Sequence, residues 1–219
     1  MTSHEFRNRL SVRAKNAGVT ITANAQAQLE AYFQLLAHWD AKINLTALPL
    51  RQPTDETFDR LLIEPFVAAQ YVADSARTWF DVGSGGGSPA IPLKIAHPRA
   101  KLTMIESKTR KAAFLREAVR ALGLPDVAVE NQRFEEVADR TKPQTIDLVT
   151  VRAVKSGRSL FAAVQGVLSP IGRAFFFHSP TGELNAPASL AIVETVPLGT
   201  TGNARLSVFK PVFHVEQTD

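Results

Sequence analysis

The sequence predicts an α/β fold: a seven-stranded, mostly parallel sheet with an antiparallel final strand, preceded by a helical segment. Three observations predict it. Beyond Ala73, short β-prone runs alternate with longer helical patterns, which implies parallel strands with helices on both faces. The first run ends in a glycine-rich turn that opens a helix, Asp81-Val82-Gly83-Ser84-Gly85-Gly86-Gly87-Ser88-Pro89. The last two runs are separated by a stretch too short for a helical crossover, including Gly199, Gly202 and Asn203, so they should pair antiparallel.

Taken in order, residues 1–73 read as a helical accessory segment and 74–219 as the sheet domain. Thr22 can cap a helix whose apolar positions Leu29, Phe33, Leu36, Trp39 and Ile43 recur at three- and four-residue steps. That helix should end near Asn44. A second helical stretch, from about Thr54 to Val72, contains Pro65, which should kink or divide it. The strand runs are 78–82, 102–105, 127–129, 146–151, 174–177, 191–196 and 206–213. Helices are expected at 89–96, 109–122, 134–139 and 159–167. A doubly wound sheet closing on an antiparallel hairpin is the Rossmann-like architecture of class I methyltransferases rather than of a plain dinucleotide dehydrogenase.

Composition narrows the function classes. A chain of 219 residues, 45% hydrophobic, holds one α/β domain of ordinary size plus a small accessory segment. It has no apolar run long enough for a membrane span, and residues 1–10 lack the apolar core of a signal peptide. Cysteine is absent, which excludes disulfides and thiolate chemistry and suits a cytoplasmic location. The five histidines lack metal-ligand spacing, so no metal is expected. The net charge of +4 is unevenly spread. Residues 1–70 carry seven basic and seven acidic side chains, whereas 94–120 carry eight basic against Glu106 and Glu117. Residues 151–173 add Arg152, Lys155, Arg158 and Arg173 with no acid. These segments read either as a phosphate-attracting face or as two solvated helix faces.

The glycine turn carries the chemistry. Gly83, Gly85 and Gly87 let the backbone turn tightly at the carboxyl end of the first strand, where open α/β sheets bind ligands. Asp81, two residues before Gly83, suits a cationic methionyl ammonium, reached directly or through water; the alternative is that it caps the next helix. Glu106 ends the second strand run, 23 residues after Gly83, where an acid accepts hydrogen bonds from both ribose hydroxyls. Its alternative is an ion pair with Lys108 or Arg110. A carboxylate near the turn disfavours a pyrophosphate, so S-adenosylmethionine fits better than NAD. Phe134 and Glu135 follow the third strand, where adenine would lie, although Glu135 also suits the start of a helix dipole. Arg152, at the carboxyl end of the fourth strand, faces the cleft or pairs with Asp147 at the surface.

These residues resemble the small-subunit ribosomal RNA methyltransferase G family, also called glucose-inhibited division protein B. The resemblance runs through Trp39 and Lys42-Ile43-Asn44-Leu45-Thr46-Ala47, the turn and helix over 81–93, and Ile105-Glu106-Ser107-Lys108 with Lys111-Ala112-Ala113-Phe114-Leu115. It continues through 131–136 and Arg152-Ala153-Val154. It implies a cytoplasmic enzyme, taken to be a monomer, that moves a methyl group from S-adenosylmethionine to N7 of a guanine in 16S ribosomal RNA, on naked RNA or within the small ribosomal subunit. Family cofactor contacts map onto Gly83, Ser88, Phe134, Glu135 and Arg152. Leu61, Glu64 and Pro65 stand where the family has a His-x-x-Asp-Ser run, and His178 and Ser179 where it has lysine then glycine; Ser88 and Ala90 also replace common family residues. N7 of guanine carries no proton, so no catalytic base is assigned: catalysis should rest on alignment and exclusion of water. The competing readings are a non-catalytic RNA- or ribosome-binding module, a small-molecule methyltransferase and an NAD enzyme.

Overall fold

The structure, a computed structural model, describes residues 1–154, 157–182, 184–199 and 203–212. The chain starts with α1 (Ser3–Asn16), which the sequence reading did not single out. Thr2 and Glu5 form a capping box at its start, and Phe6, Leu10 and Ala14, four residues apart, bury one stripe. Helix α2 (Ala23–Ile43) is capped by Thr22, whose hydroxyl accepts from Ala25 N at 3.2 Å, and it ends at Asn44 in the left-handed region. Trp39 is partly buried and packs on Phe114, as a core residue would.

The expected 54–72 helix is not divided at Pro65; it runs from Asp55 to Ala69 with a π turn just ahead of the proline. Thr54 caps α3 (Asp55–Phe58), a π turn follows over Asp59–Ile63, and α4 (Glu64–Ala69) completes the run. In the π turn Glu64 N donates to Asp59 O, one residue further back than in an α-helix. Pro65 has no N–H to return to Arg60 in that register, or to Leu61 in the α register. Two carbonyls are thereby left to other donors.

The sheet comprises β1 (Thr78–Val82), β2 (Lys101–Ile105), β3 (Val127–Glu130), β4 (Ile146–Arg152), β5 (Leu168–His178), β6 (Leu190–Leu198) and β7 (Ala204–Pro211). Helices α5 (Ala90–Ala96), α6 (Thr109–Ala121), α7 (Phe134–Arg140) and α8 (Arg158–Val167) connect the first five strands. The order is β3-β2-β1-β4-β5-β7-β6; β1 to β5 pair in parallel, and β7 is antiparallel to both of its neighbours. The expected antiparallel closing pair is therefore present. Strand β5 is six residues longer at its start than expected, because Ser169-Pro170-Ile171-Gly172 reads as a turn yet continues the strand beside a register shift at Ile146/Leu148. Strand β7 stops at Pro211, and Phe213 lies outside the described residues.

Strand alternation splits the core in two. Trp79, Leu102, Met104, Leu148, Phe175 and Phe177 face one side, joined by α1, α2, α5 and α6. Val82, Ile105, Val149, Val151, Phe176 and Phe209 face the other, under α7 and α8. The helical segment thus shares a continuous core with the sheet. Phe6, Phe33 and Phe58 meet there at 5.2–5.9 Å between ring centroids, and the Arg9 guanidinium caps Phe58 at 4.5 Å. Among the described residues no helix is long and apolar enough to cross a membrane. Phe58→Ala should cost about 3–5 kcal/mol by emptying this fully buried position; urea unfolding measures it, and a loss below about 1 kcal/mol would mean the triad is not a core.

Candidate functional site

Sheet order reverses at β1, which lies between β2 and β4, so the loops beyond these three strands diverge and leave a crevice. The turn after β1 forms its floor. Gly83, Gly85 and Gly87 have φ of +68°, +51° and +86°, which favour glycine. A Cβ on Gly83 would also stand 2.6 Å from Val154 Cγ2. Gly87 differs from the expectation: it is absent from the cavity lining, and its Cβ position faces Ile91 at 2.6 Å, so its task is packing turn against α5.

A cavity of about 620 Å³ opens above this turn. Gly83, Gly85, Ser88, Glu106 and Arg152 line it, with Leu45 to Leu48 forming another wall. A second recess of about 330 Å³ adjoins it at Gly83, Ser107 and Val154, and Phe134 and Glu135 line that one. Seven of the nine expected site residues therefore line these two adjoining recesses, together a trough; Asp81 and Gly87 are not on its lining.

Asp81 is 1% exposed. Its Oδ1 accepts from Thr150 Oγ1 at 2.5 Å, while Oδ2 has no hydrogen-bond partner among the described residues. Burial pushes the carboxyl up to about 6, against opposing hydrogen bonds and the Arg152 charge, and Glu106 adds to the rise. The alternative role as helix cap is not what the carboxylate does: α5 starts with no side-chain cap, and Ser84 Oγ donates to the Asp81 carbonyl. Glu106 is also buried, and backbone groups fix it. Oε2 accepts from Gly85 N at 2.9 Å and Oε1 from Lys108 N at 2.7 Å. The alternative ion pair with the Lys108 or Arg110 side chain is not recorded among the described residues. Because each carboxylate oxygen has two acceptor sites, Glu106 retains capacity for two further donors.

Arg152 is tied inward. Its Nη2 meets Glu64 Oε2 at 2.5 Å, Nη1 donates to Arg60 O at 2.5 Å and to Ser88 Oγ at 3.2 Å, and its guanidinium stacks 4.4 Å from the Phe177 ring centre. Ser88 Oγ in turn donates to Leu61 O at 3.0 Å. The two carbonyls freed by the π turn and Pro65 are thus bound by the site itself. Burial lowers the Arg152 guanidinium and raises the Glu64 carboxyl, each opposed by its partner's charge. The surface pairing with Asp147 does not occur, since Asp147 accepts from Arg77 N, Thr78 and Ser169 Oγ at the other end of β4.

Sequence reading missed three supporting groups. Tyr32 OH donates to Gly86 O at 2.6 Å, pinning the turn to α2. Thr150, which holds Asp81, accepts from Trp79 Nε1 at 2.9 Å; a lone threonine inside the apolar run Leu148-Val149-Thr150-Val151 was the available signal. Asp40 Oδ1 receives Leu45 N at 2.7 Å and Thr46 N at 2.9 Å, fixing the wall loop. The basic segments do not form one face. Lys94 is buried and donates to Pro98 O and Ala100 O, and Arg173 donates to Tyr71 O. Arg99 and Lys101 stand at the end of β2 away from the cavity, whereas Lys108 and Lys111 line it; Lys155 lies outside the described residues. His178 bonds Ser207 Oγ and the Ser179 carbonyl.

A model of the family described as rRNA small subunit methyltransferase G matches residues 25–197. A protein named ribosomal RNA small subunit methyltransferase G from Neisseria meningitidis serogroup C is 36% identical over 149 residues, 68% of each chain. One of the same name from Stenotrophomonas maltophilia is 33% identical over 195 residues, 86% of each chain. Among solved structures, a putative methyltransferase from Escherichia coli is 15% identical, covering 76% of this chain and 92% of that one, with a TM-score of 0.57. An SAM-dependent methyltransferase from Aquifex aeolicus is 15% identical, covering 69% and 91%, with a TM-score of 0.56. At such identities the structures speak to fold alone.

The raised Asp81 carboxyl has a stability consequence. Its folded value of about 6 exceeds the ordinary 3.8, so the ionised group weakens folding above pH 6, and that cost fades as pH falls from 6 towards 4. Asp81→Asn should therefore stabilise the protein by roughly 2–3 kcal/mol at pH 8 and by little at pH 4. Urea unfolding across that range measures it; a gap that widened towards acid would contradict a carboxyl raised by burial.

Proposed function

We infer that this chain, which belongs to the rRNA small subunit methyltransferase G family, transfers a methyl group from S-adenosylmethionine to N7 of a guanine in 16S ribosomal RNA. The observation that carries the reading is the trough above the glycine turn, in a chain matched by the family over residues 25–197. When bound, S-adenosylmethionine supplies a methyl group on a positively charged sulfur with the electron demand for transfer. The residues fit such a ligand by charge and by shape. Asp81 and Glu106 set two carboxylates at the turn itself, which suit a sulfonium and an ammonium and oppose a pyrophosphate there. The open side of Gly85 admits a ligand close to the backbone.

Each residue then has one task. Glu106, held by two backbone N–H groups, receives the ribose hydroxyls with its remaining lone pairs. Phe134 and Glu135 border the recess that suits the adenine. Ser88 and Arg152 hold the helical segment against the turn and so keep the cavity wall in place. No side chain needs to remove a proton, because N7 of guanine attacks with an in-plane lone pair. Arg152 is accordingly a positioning residue: its charge is spent on Glu64, and a cation is a poor neighbour for a purine that gains positive charge. The partner is the small ribosomal subunit or its RNA, and the protein works as a cytoplasmic monomer.

The test is incubation with methyl-labelled cofactor and small subunits lacking the modification, followed by nucleoside analysis. Label in 7-methylguanosine is expected. Saturable binding of S-adenosylhomocysteine without transfer would instead indicate a non-catalytic RNA-binding module. Calorimetric titration with S-adenosylhomocysteine checks the pocket. Gly83→Val should abolish binding, since valine meets both the positive φ and Val154. Glu106→Ala should weaken it by about 1–3 kcal/mol through lost charge-assisted hydrogen bonds. Near-normal affinity in the folded variants would remove these residues from the cofactor site.

A further inference from the structure

The π turn does two things with one residue. The Arg60 carbonyl, deprived of a helical donor, is fixed by Arg152 Nη1 at 2.5 Å, so its backbone is anchored to the end of β4. Arg60 lines the cavity above the glycine turn, and its side chain is 38% exposed, with its ion pair to Glu56 at a loose 3.9 Å. Such an exposed, distant pair holds a guanidinium weakly. Lys108 and Lys111, from the start of α6, line the same cavity. Since the order β2-β1-β4 sets these lysines beside β2 and Arg60 beside β4, cations flank the glycine turn from both sides. The carboxylate on that lining, Glu106, is buried and turned to the backbone N–H groups of Gly85 and Lys108.

We propose that Arg60 is a substrate-positioning residue whose guanidinium holds a phosphate of the unpaired RNA strand entering the cavity, with Lys108 and Lys111 completing the rim. This rests on the reading of the trough as the site of RNA methyl transfer. N7 of a guanine in an A-form helix lies in a deep, narrow major groove that side chains do not reach, so the target base must arrive from an unpaired stretch. Its flanking phosphates then cross the cavity mouth, where the rim offers positive charge on both sides. A planar guanidinium on an anchored backbone suits that task, because it binds two phosphate oxygens at once and its base cannot drift.

The experiment compares wild type, Arg60→Ala, Arg60→Lys and, as a control at the far end of β2, Lys101→Ala. Affinity for an unmodified 16S RNA transcript is measured by anisotropy over a range of potassium chloride concentrations, together with S-adenosylhomocysteine affinity, the methylation KM and kcat, and thermal midpoints. Arg60→Ala should weaken RNA binding and raise KM about three- to tenfold, with kcat and S-adenosylhomocysteine affinity unchanged. Its slope of log affinity against log salt should be shallower by about 0.7–1, the share of one phosphate contact. Arg60→Lys should restore the slope but only part of the affinity, and Lys101→Ala should alter neither. Wild-type RNA affinity and slope in Arg60→Ala would overturn the proposal. A loss confined to S-adenosylhomocysteine binding would overturn it too, by giving the guanidinium to the cofactor carboxylate. If wild type bound RNA yet transferred no methyl group, the enzyme reading would fail, while the slope comparison would still decide the role of Arg60.

Discussion

One buried ion pair connects the parts of this protein that have to meet. Glu64 belongs to the helical segment and Arg152 to the end of the central strand β4, 88 residues later. The pair is 2.5 Å apart, with side chains 3% and 11% exposed. Taking two charges out of water costs several kcal/mol per ion, and only close geometry with further hydrogen bonds offsets it. Arg152 finds those bonds in the Arg60 carbonyl and Ser88, and Phe177 covers its flat face. The contact is therefore a poor source of net stability and a strong source of specificity: few other placements of the helical segment satisfy a buried Arg and Glu together.

The local chemistry of the π turn makes that placement possible. Glu64 and Pro65 are departures from the run common in the family, and both have structural work here. Glu64 keeps an acid opposite Arg152, and Pro65 withholds the N–H that would otherwise reclaim the Arg60 carbonyl. Tyr32 adds a second tie from α2 to the Gly86 carbonyl, so the turn is held from the helical segment at two points. The proposed reaction makes its demand in the same terms. A transfer that removes no proton beforehand needs a rigid trough with the right charge, and buried carboxylates and a fixed turn would suit it.

The fold was legible because its signals are local. The runs at 78–82 and 102–105 differ from the observed strands by no more than one residue, and the short final gap correctly required an antiparallel pair. Helix α1 escaped because Phe6, Leu10 and Ala14 are a thin apolar stripe in a polar stretch. The start of β5 escaped because Pro170 and Gly172 are turn residues that a register shift accommodates within a strand. The site was legible as a set of residues lining a crevice, since glycine spacing and an acid at a strand end are local patterns. Partners were not. Nothing in spacing joins Glu64 to Arg152, Tyr32 to Gly86, or Thr150 to Asp81, because burial and sheet order decide those contacts. Charge counting failed for the same reason: Lys94 and Arg173 are basic in sequence and spent on carbonyls in the fold.

The dependence of this arrangement on the Glu64–Arg152 contact can be measured directly by a double-mutant cycle on Glu64→Gln and Arg152→Gln, read by urea unfolding. Each single substitution should cost about 3–5 kcal/mol, because it strands the opposite charge in the interior. The double variant, with no charge left to strand, should cost less than the sum of the two by about 2 kcal/mol or more. Additive losses would contradict the account, and would mean that the helical segment is seated by its apolar contacts alone.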